Sequence, residues 1–196
     1  MKCPNCGAQN KLDAELCEYC DQPLFKNSLA SYAQVDPDRL KEYLNAIEVL
    51  ADQDPHNAKA ILTLGLSYLE TGAYALAQPQ FEQVIKTAPR DPQAYYYYAL
   101  AKIGGRRLRT LSFSEARQIK EYLNTAIQFD REAEVPQYRL LLAMLKRDYY
   151  ETNGMKVPPP SAEELLQDIS GETIDGVEHE HLIKSVKVSG LEEYKF

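Results

Sequence analysis

Residues 55–89 read Pro55-His-Asn-Ala-Lys-Ala-Ile-Leu-Thr-Leu-Gly65-Leu-Ser-Tyr68-Leu-Glu-Thr-Gly72-Ala-Tyr-Ala-Leu-Ala77-Gln-Pro79-Gln-Phe81-Glu-Gln-Val84-Ile-Lys-Thr-Ala-Pro89, and this stretch decides the fold. Ile61, Leu64 and Tyr68 recur at helical spacing, and so do Ala77, Phe81 and Val84. Two amphipathic helices therefore follow one another, with Gly72 as the stop between them. Pro55 and Pro89 stand 34 residues apart, each closing one helix and opening the next. A recurrence of that period marks a helical repeat and a mainly α fold. Gly65 lets the two helices approach closely, and Tyr68 and Phe81 fill their contact.

Working outward, the chain from Asp36-Pro37 to Asn153-Gly154 reads as successive helices over 37–52, 58–71, 73–87, 92–103, 113–129 and 136–152. Asp36 and Asp91 each precede a proline, which gives an N-cap followed by a first helical turn. Pro79 should kink the third helix or move its start towards Gln78. The order Ile61, Leu64-Gly65, Tyr68, Ala77, Phe81, Val84 and Pro89 resembles the tetratricopeptide repeat. The likeness covers roughly 37–152 and is close over 58–89. A second, degenerate unit matches through Tyr95, Tyr98 and Ala99, then Ile119, Leu123 and Ala126. An insertion beginning at Gly104-Gly105 separates its helices, Lys102 replaces the expected aromatic, and Arg131 takes the place of the terminal proline. In this pattern Tyr95 and Tyr98 pack between helices, and helix 136–152 caps the open end.

That resemblance implies a non-enzymatic adaptor that binds a protein or peptide in its concave groove. Laid on this chain, the groove positions are Lys59, Leu62, Thr63 and Leu66 in the first unit, with Tyr96, Tyr97 and Leu100 in the second. Lys59 alone suits a carboxylate clamp, and one lysine cannot grip a carboxylate bidentately. Leucine and tyrosine suit apolar anchors of a helix or an extended strip. The alternative is a groove filled from within, by helix 37–52.

All four cysteines lie in the first 20 residues, as Cys3-Pro-Asn-Cys6, ten residues, then Cys17-Glu-Tyr-Cys20. Two Cys-x-x-Cys turns facing each other supply the four thiolates of a tetrahedral zinc site. Paired disulfides are the other reading, and they fit a secreted chain better than one opening Met1-Lys2-Cys3-Pro4. The segment resembles the short N-terminal zinc ribbons of many bacterial proteins, which implies one structural Zn²⁺ held by Cys3, Cys6, Cys17 and Cys20. In those ribbons a glycine with positive φ follows each knuckle; here Gly7 keeps the pattern and Asp21 departs from it. The expected organisation is a ribbon over 1–25, a linker over 26–35, the helical repeat over 36–154, and an acidic tail over 155–196.

The 196 residues carry 29 acidic and 22 basic side chains, for a net charge of -7. Such a balance disfavours a whole-protein hold on nucleic acid or anionic lipid. No apolar run approaches the roughly 20 residues of a membrane span, and the expected location is cytoplasmic. One basic cluster stands apart: Lys102, Arg106, Arg107 and Arg109 are candidate anion contacts, which keeps an RNA- or ribosome-associated role as the alternative function. Residues 151–196 hold ten acids and four bases, so this tail could dock on the basic region. Within it, Ser161-Ala-Glu-Glu164 is a capping box for a helix over 162–168, and 181–188 reads as a strand. On a strand His179 and His181 would share a face. No phosphate-binding loop and no nucleophile with its base is present.

Overall fold

The computed structural model describes residues 1–12, 14–32, 35, 37–130, 135–169 and 176–187. Asp36, expected as a helix cap, and Arg131 lie outside the described residues. The chain divides into two compact units, Met1–Pro89 and Arg90–Phe196.

The first unit contains three helices, α1 (Pro37–Gln53), α2 (Ala58–Glu70) and α3 (Tyr74–Thr87). Helix α2 begins where the Asn57 side chain accepts the Ala60 amide at 3.1 Å. It is apolar nearly all round, and Ala60 through Ser67 are all buried. A helix of that kind must be covered on every side. Helices α1 and α3 both pack on it. At Gly65 a Cβ atom would come within 2.7 Å of the Phe81 ring, so glycine is what permits the α2–α3 approach. Helix α3 runs unbroken from Tyr74 through Pro79, and its start does not shift towards Gln78 as expected. Pro79 lies in the second turn, where its missing amide removes one intrahelical bond that the packed Ala77, Phe81 and Val84 outweigh.

The second unit contains α4 (Pro92–Ile103), α5 (Phe113–Phe129), α6 (Pro136–Leu145), α7 (Ala162–Asp168) and α8 (Gly176–Ser185). Asp91 caps α4 by accepting the Gln93 amide at 2.9 Å, and Gly104 ends it in the left-handed conformation. Tyr95 and Tyr98 pack on Tyr122 of α5, with ring centroids 6.2 and 4.7 Å apart. The insertion after Gly105 is pinned by buried Leu108 and Leu111 and contains a short 3₁₀ turn. Helix α6 is buried on all faces over Leu140–Leu145 and continues as a π-helical turn, Lys146–Glu151.

The tail is packed, and α7 and α8 both lie on α6. Ser161 and Glu164 form the expected capping box, with amide bonds of 3.1 and 2.6 Å. The expected strand over 181–188 is corrected: residues 176–185 are helical, and there is no strand among the described residues. Leu182 and Val186 are both buried while Lys184 between them is exposed, a pattern a helical turn gives and a strand, which would put all three on one face, does not.

Candidate functional site

The ribbon is built from two similar turns. In the first, Cys3 donates its amide to the Ala8 carbonyl (2.8 Å) and accepts the Gly7 amide (2.9 Å). In the second, Cys17 donates to Gln22 (2.9 Å) and accepts from Asp21 (3.0 Å). Both residues after the knuckles have positive φ, +79° at Gly7 and +56° at Asp21, so aspartate serves where glycine is usual. The four sulfurs lie within 4.8 Å of one another, and Cys3–Cys20 and Cys6–Cys17 are each 3.7 Å apart. All four cysteines are free of disulfides. A tetrahedral ion bonded to sulfur at about 2.3 Å requires sulfurs about 3.8 Å apart, so the donors fit a closed Zn²⁺ site.

Sequence reading missed the support for this cluster. Buried Asn10 donates its side-chain amide to Cys17 Sγ at 3.4 Å and accepts the Glu18 amide at 3.0 Å, tying one knuckle to the other. Asn5 points its amide at Cys20 Sγ, 3.8 Å away. Burial opposes ionisation of Cys17, yet the Tyr19 amide, Asn10 and the Cys20 amide bring its thiol down to about 6. The Ala8 amide favours the Cys6 thiolate, but desolvation and the three neighbouring sulfurs push that thiol up to about 12. Four thiolates this close repel one another, and a bound cation removes the conflict.

The ribbon docks on the helices of its own unit. Lys2 pairs with Glu42 of α1 at 2.9 Å, and Lys59 of α2 pairs with Glu15 at 2.5 Å. Arg39 of α1 donates to the Asn5 carbonyl at 2.7 Å. The described part of the expected linker over 26–35 is held as well. Thr63 of α2 accepts the Lys26 amide (3.1 Å), and its hydroxyl proton is shared between the Lys26 carbonyl (3.0 Å) and that of Lys59 (2.8 Å). Tyr32 donates to the Thr63 carbonyl at 2.6 Å, and Tyr43 of α1 donates to the Leu24 carbonyl at 2.7 Å. Leu24, Leu29 and Tyr32 are buried, and burial raises the Tyr32 and Tyr43 phenols so that they stay neutral donors.

The groove positions expected to contact a partner are mostly interior. Leu62, Thr63 and Leu66 are buried, and so are Tyr96, Tyr97 and Leu100; Lys59 alone remains exposed. Tyr96 packs on Tyr97 at 5.0 Å and on Tyr138 of α6 at 4.9 Å. Tyr138 of the largely apolar α6 thus covers Tyr96 on that face of α4. In the first unit Thr63 is covered by residues 24–32, and α1, the helix expected over 37–52 as an internal filler, packs on α2 as well.

The basic cluster divides in two. Arg106 caps α4 through the Ile103 and Lys102 carbonyls (3.0 Å each) and pairs with Glu115 at 2.7 Å, while Lys102 lies over the Tyr98 ring at 5.7 Å. Arg107 and Arg109 are exposed and meet no acidic side chain among the described residues. The tail does not reach this loop through an ion pair among the described residues. Its Glu163 instead pairs with Arg147 at 3.2 Å. His179 and His181 lie on a helix, where positions two apart point to opposite sides, so the shared face expected of them is not formed.

The chain is mainly α, with a tetratricopeptide-like helical fold. Two solved structures share the fold. The chain is 22% identical to the MamA RS-1 ArsTM double mutant, with a TM-score of 0.50, over 66% of this chain and 64% of that one. It is 20% identical to MamA 41-end from Desulfovibrio magneticus RS-1, with a TM-score of 0.53, over 74% of each chain. No protein-family model and no curated protein sequence matches the chain. No helix among the described residues is long and apolar enough to cross a membrane.

Proposed function

We propose that this chain is a non-enzymatic adaptor of the cytoplasm that binds protein through its tetratricopeptide-like scaffold and carries one structural Zn²⁺ on Cys3, Cys6, Cys17 and Cys20. One observation carries the reading: the face of α2 around Thr63 accepts an irregular stretch of chain, because Lys26 and Tyr32 bond to Thr63 there. A surface that satisfies the amide and carbonyl of one segment has the chemistry to receive another. Free thiols at tetrahedral spacing support the metal and a reducing compartment. When bound, the ion would fix the two knuckles and supply no open coordination position.

A photo-crosslinker at position 59 in living cells tests the adaptor role. A covalent adduct with a second polypeptide is expected. Adducts confined to residues of this same chain would sink the reading. The second reading, contact with RNA, rests on exposed Arg107 and Arg109. It predicts bulk-RNA binding that weakens steeply with salt and is lost in the Arg107→Ala, Arg109→Ala double variant.

A further inference from the structure

We propose that residues 24–32 act as a built-in occupant of the α2 groove, and that metal in the ribbon keeps them there. The proposal rests on the adaptor reading and names its ligand class: a short peptide without regular structure, with apolar anchors spaced as Leu24, Leu29 and Tyr32.

The segment is bound as a ligand is bound. It is irregular up to a short 3₁₀ turn at Ala30–Tyr32. Lys26 offers its backbone amide and carbonyl to one side chain, Thr63, across 37 positions of sequence. Those contacts ask only for a main-chain amide and carbonyl at one place, while Leu24, Leu29 and Tyr32 are buried and supply the selectivity.

What holds it comes from the ribbon. Three of the docking contacts use a residue within two positions of a metal-binding cysteine: Lys2 beside Cys3, Asn5 beside Cys6, and Glu15 near Cys17. The Arg39 guanidinium also rests against the first knuckle, 3.4 Å from where a Gly7 Cβ would stand. Lys2, Glu42, Lys59 and Glu15 are all more than half exposed, so each ion pair is individually weak. They act together only while the knuckles keep their shape. A 25-residue segment has too little core to keep it unaided, so the metal supplies the fold. With the metal in place, residues 24–32 are presented to α2 at high effective concentration and exclude a competitor. Once it is lost, the three contacts go together and Thr63 and Lys59 become available.

The test uses the full chain and a fluorescent synthetic peptide of residues 22–35. Zinc-loaded protein should bind it poorly. Chelated protein should bind it at least about tenfold more tightly, and added zinc should reverse the gain. Amide exchange over 24–32 should rise on chelation. The Lys2→Ala, Arg39→Ala double variant keeps all four cysteines; it should retain one zinc and show an intermediate gain. If chelation leaves 24–32 protected and the peptide unbound, the proposal is overturned. It is also overturned if release of the segment melts the helical signal of the first unit, since the segment is then core. Peptide binding without any protein partner at position 59 would sink the adaptor reading alone. A partner that binds loaded and chelated protein equally, uncontested by the peptide, would sink this inference alone.

Discussion

Helices α2 and α6 pose the same physical problem and meet it differently. Each is apolar on nearly every face, and each is covered by a segment from outside the repeat. Over α6 the cover is two helices whose Leu165, Ile169, Leu182 and Val186 are buried, reinforced by the Arg147–Glu163 pair. Lys146, buried at the start of the π-helical turn, donates to the Pro158 carbonyl at 2.6 Å, and desolvation lowers its pKa. Over α2 the cover is an irregular strip whose Leu24, Leu29 and Tyr32 are buried, joined to Thr63 by hydrogen bonds and flanked by exposed ion pairs from the ribbon. Apolar burial is driven by water and persists whenever the chain folds. Both covers use it, but the N-terminal strip runs straight on from a metal-shaped module and so carries a second condition. The C-terminal cover depends on the fold alone; the N-terminal one, on the inference above, depends on the metal as well.

The largest expected effect follows from removing the metal. Cys17→Ser leaves three thiolates, so the ribbon should lose its ion and its fold; zinc modules of this size draw on the order of 10–16 kcal/mol from the metal. Metal analysis should fall from about one equivalent to near none, and amide exchange should rise throughout 1–32. The second unit should melt unchanged. A matching fall in its stability would break the contrast.

Cutting into the C-terminal cover comes next. Leu182→Ala removes a fully buried side chain against α6 and should cost about 2–5 kcal/mol. Urea unfolding should show the loss in the second unit, with zinc content unaffected. A loss below about 0.5 kcal/mol, the range of ordinary surface substitutions, would make this cover as detachable as the other. Gly65→Ala follows, at about 1–3 kcal/mol, because the added methyl meets the Phe81 ring at 2.7 Å. It should destabilise the α2–α3 pair without releasing zinc.

Much of this was legible locally. The helix spans over 92–103 and 113–129 match α4 and α5 at both ends, since Asp91-Pro92 and Gly104 obey short-range capping rules. The cysteine cluster was legible because two Cys-x-x-Cys turns admit few arrangements. The covers were not. Nothing in the composition of 26–35 shows that the Lys26 amide meets Thr63, a long-range bond without periodicity. Residues 181–188 alternate enough to suggest a strand, but packing on α6 favours a helix, which buries Leu182 and Val186 while leaving Lys184 outside. Burial of Tyr96 and Tyr97 was hidden for a related reason: the repeat pattern assigns faces to helices of the repeat and says nothing of what a following apolar helix such as α6 will cover.

The smallest expected effect serves as the control for the exposed pairs of the ribbon. Arg106 and Glu115 form a partly exposed pair in the second unit, far from any metal ligand in sequence, with side chains 44% and 31% exposed. Hydrogen bonds from Arg106 and from the Ser112 side chain and amide bring the Glu115 carboxyl down to about 2, from an ordinary 4.5. A carboxyl lowered on folding stabilises the native state above its unfolded pKa, and that contribution is lost as pH falls from 4.5 towards 2. Glu115→Gln should therefore cost about 0.5–1 kcal/mol at pH 7, screened by solvent and salt, and nearly nothing at pH 2.5. Thermal melts of both proteins at the two pH values, in low and high salt, would read it. If Glu115→Gln also raised binding of the 22–35 peptide, loss of any surface pair would loosen the α2 groove, and the special place of Lys2, Asn5 and Glu15 beside the cysteines would be gone. If only the ribbon variants raise it, the conditional cover belongs to the metal module and not to surface charge at large.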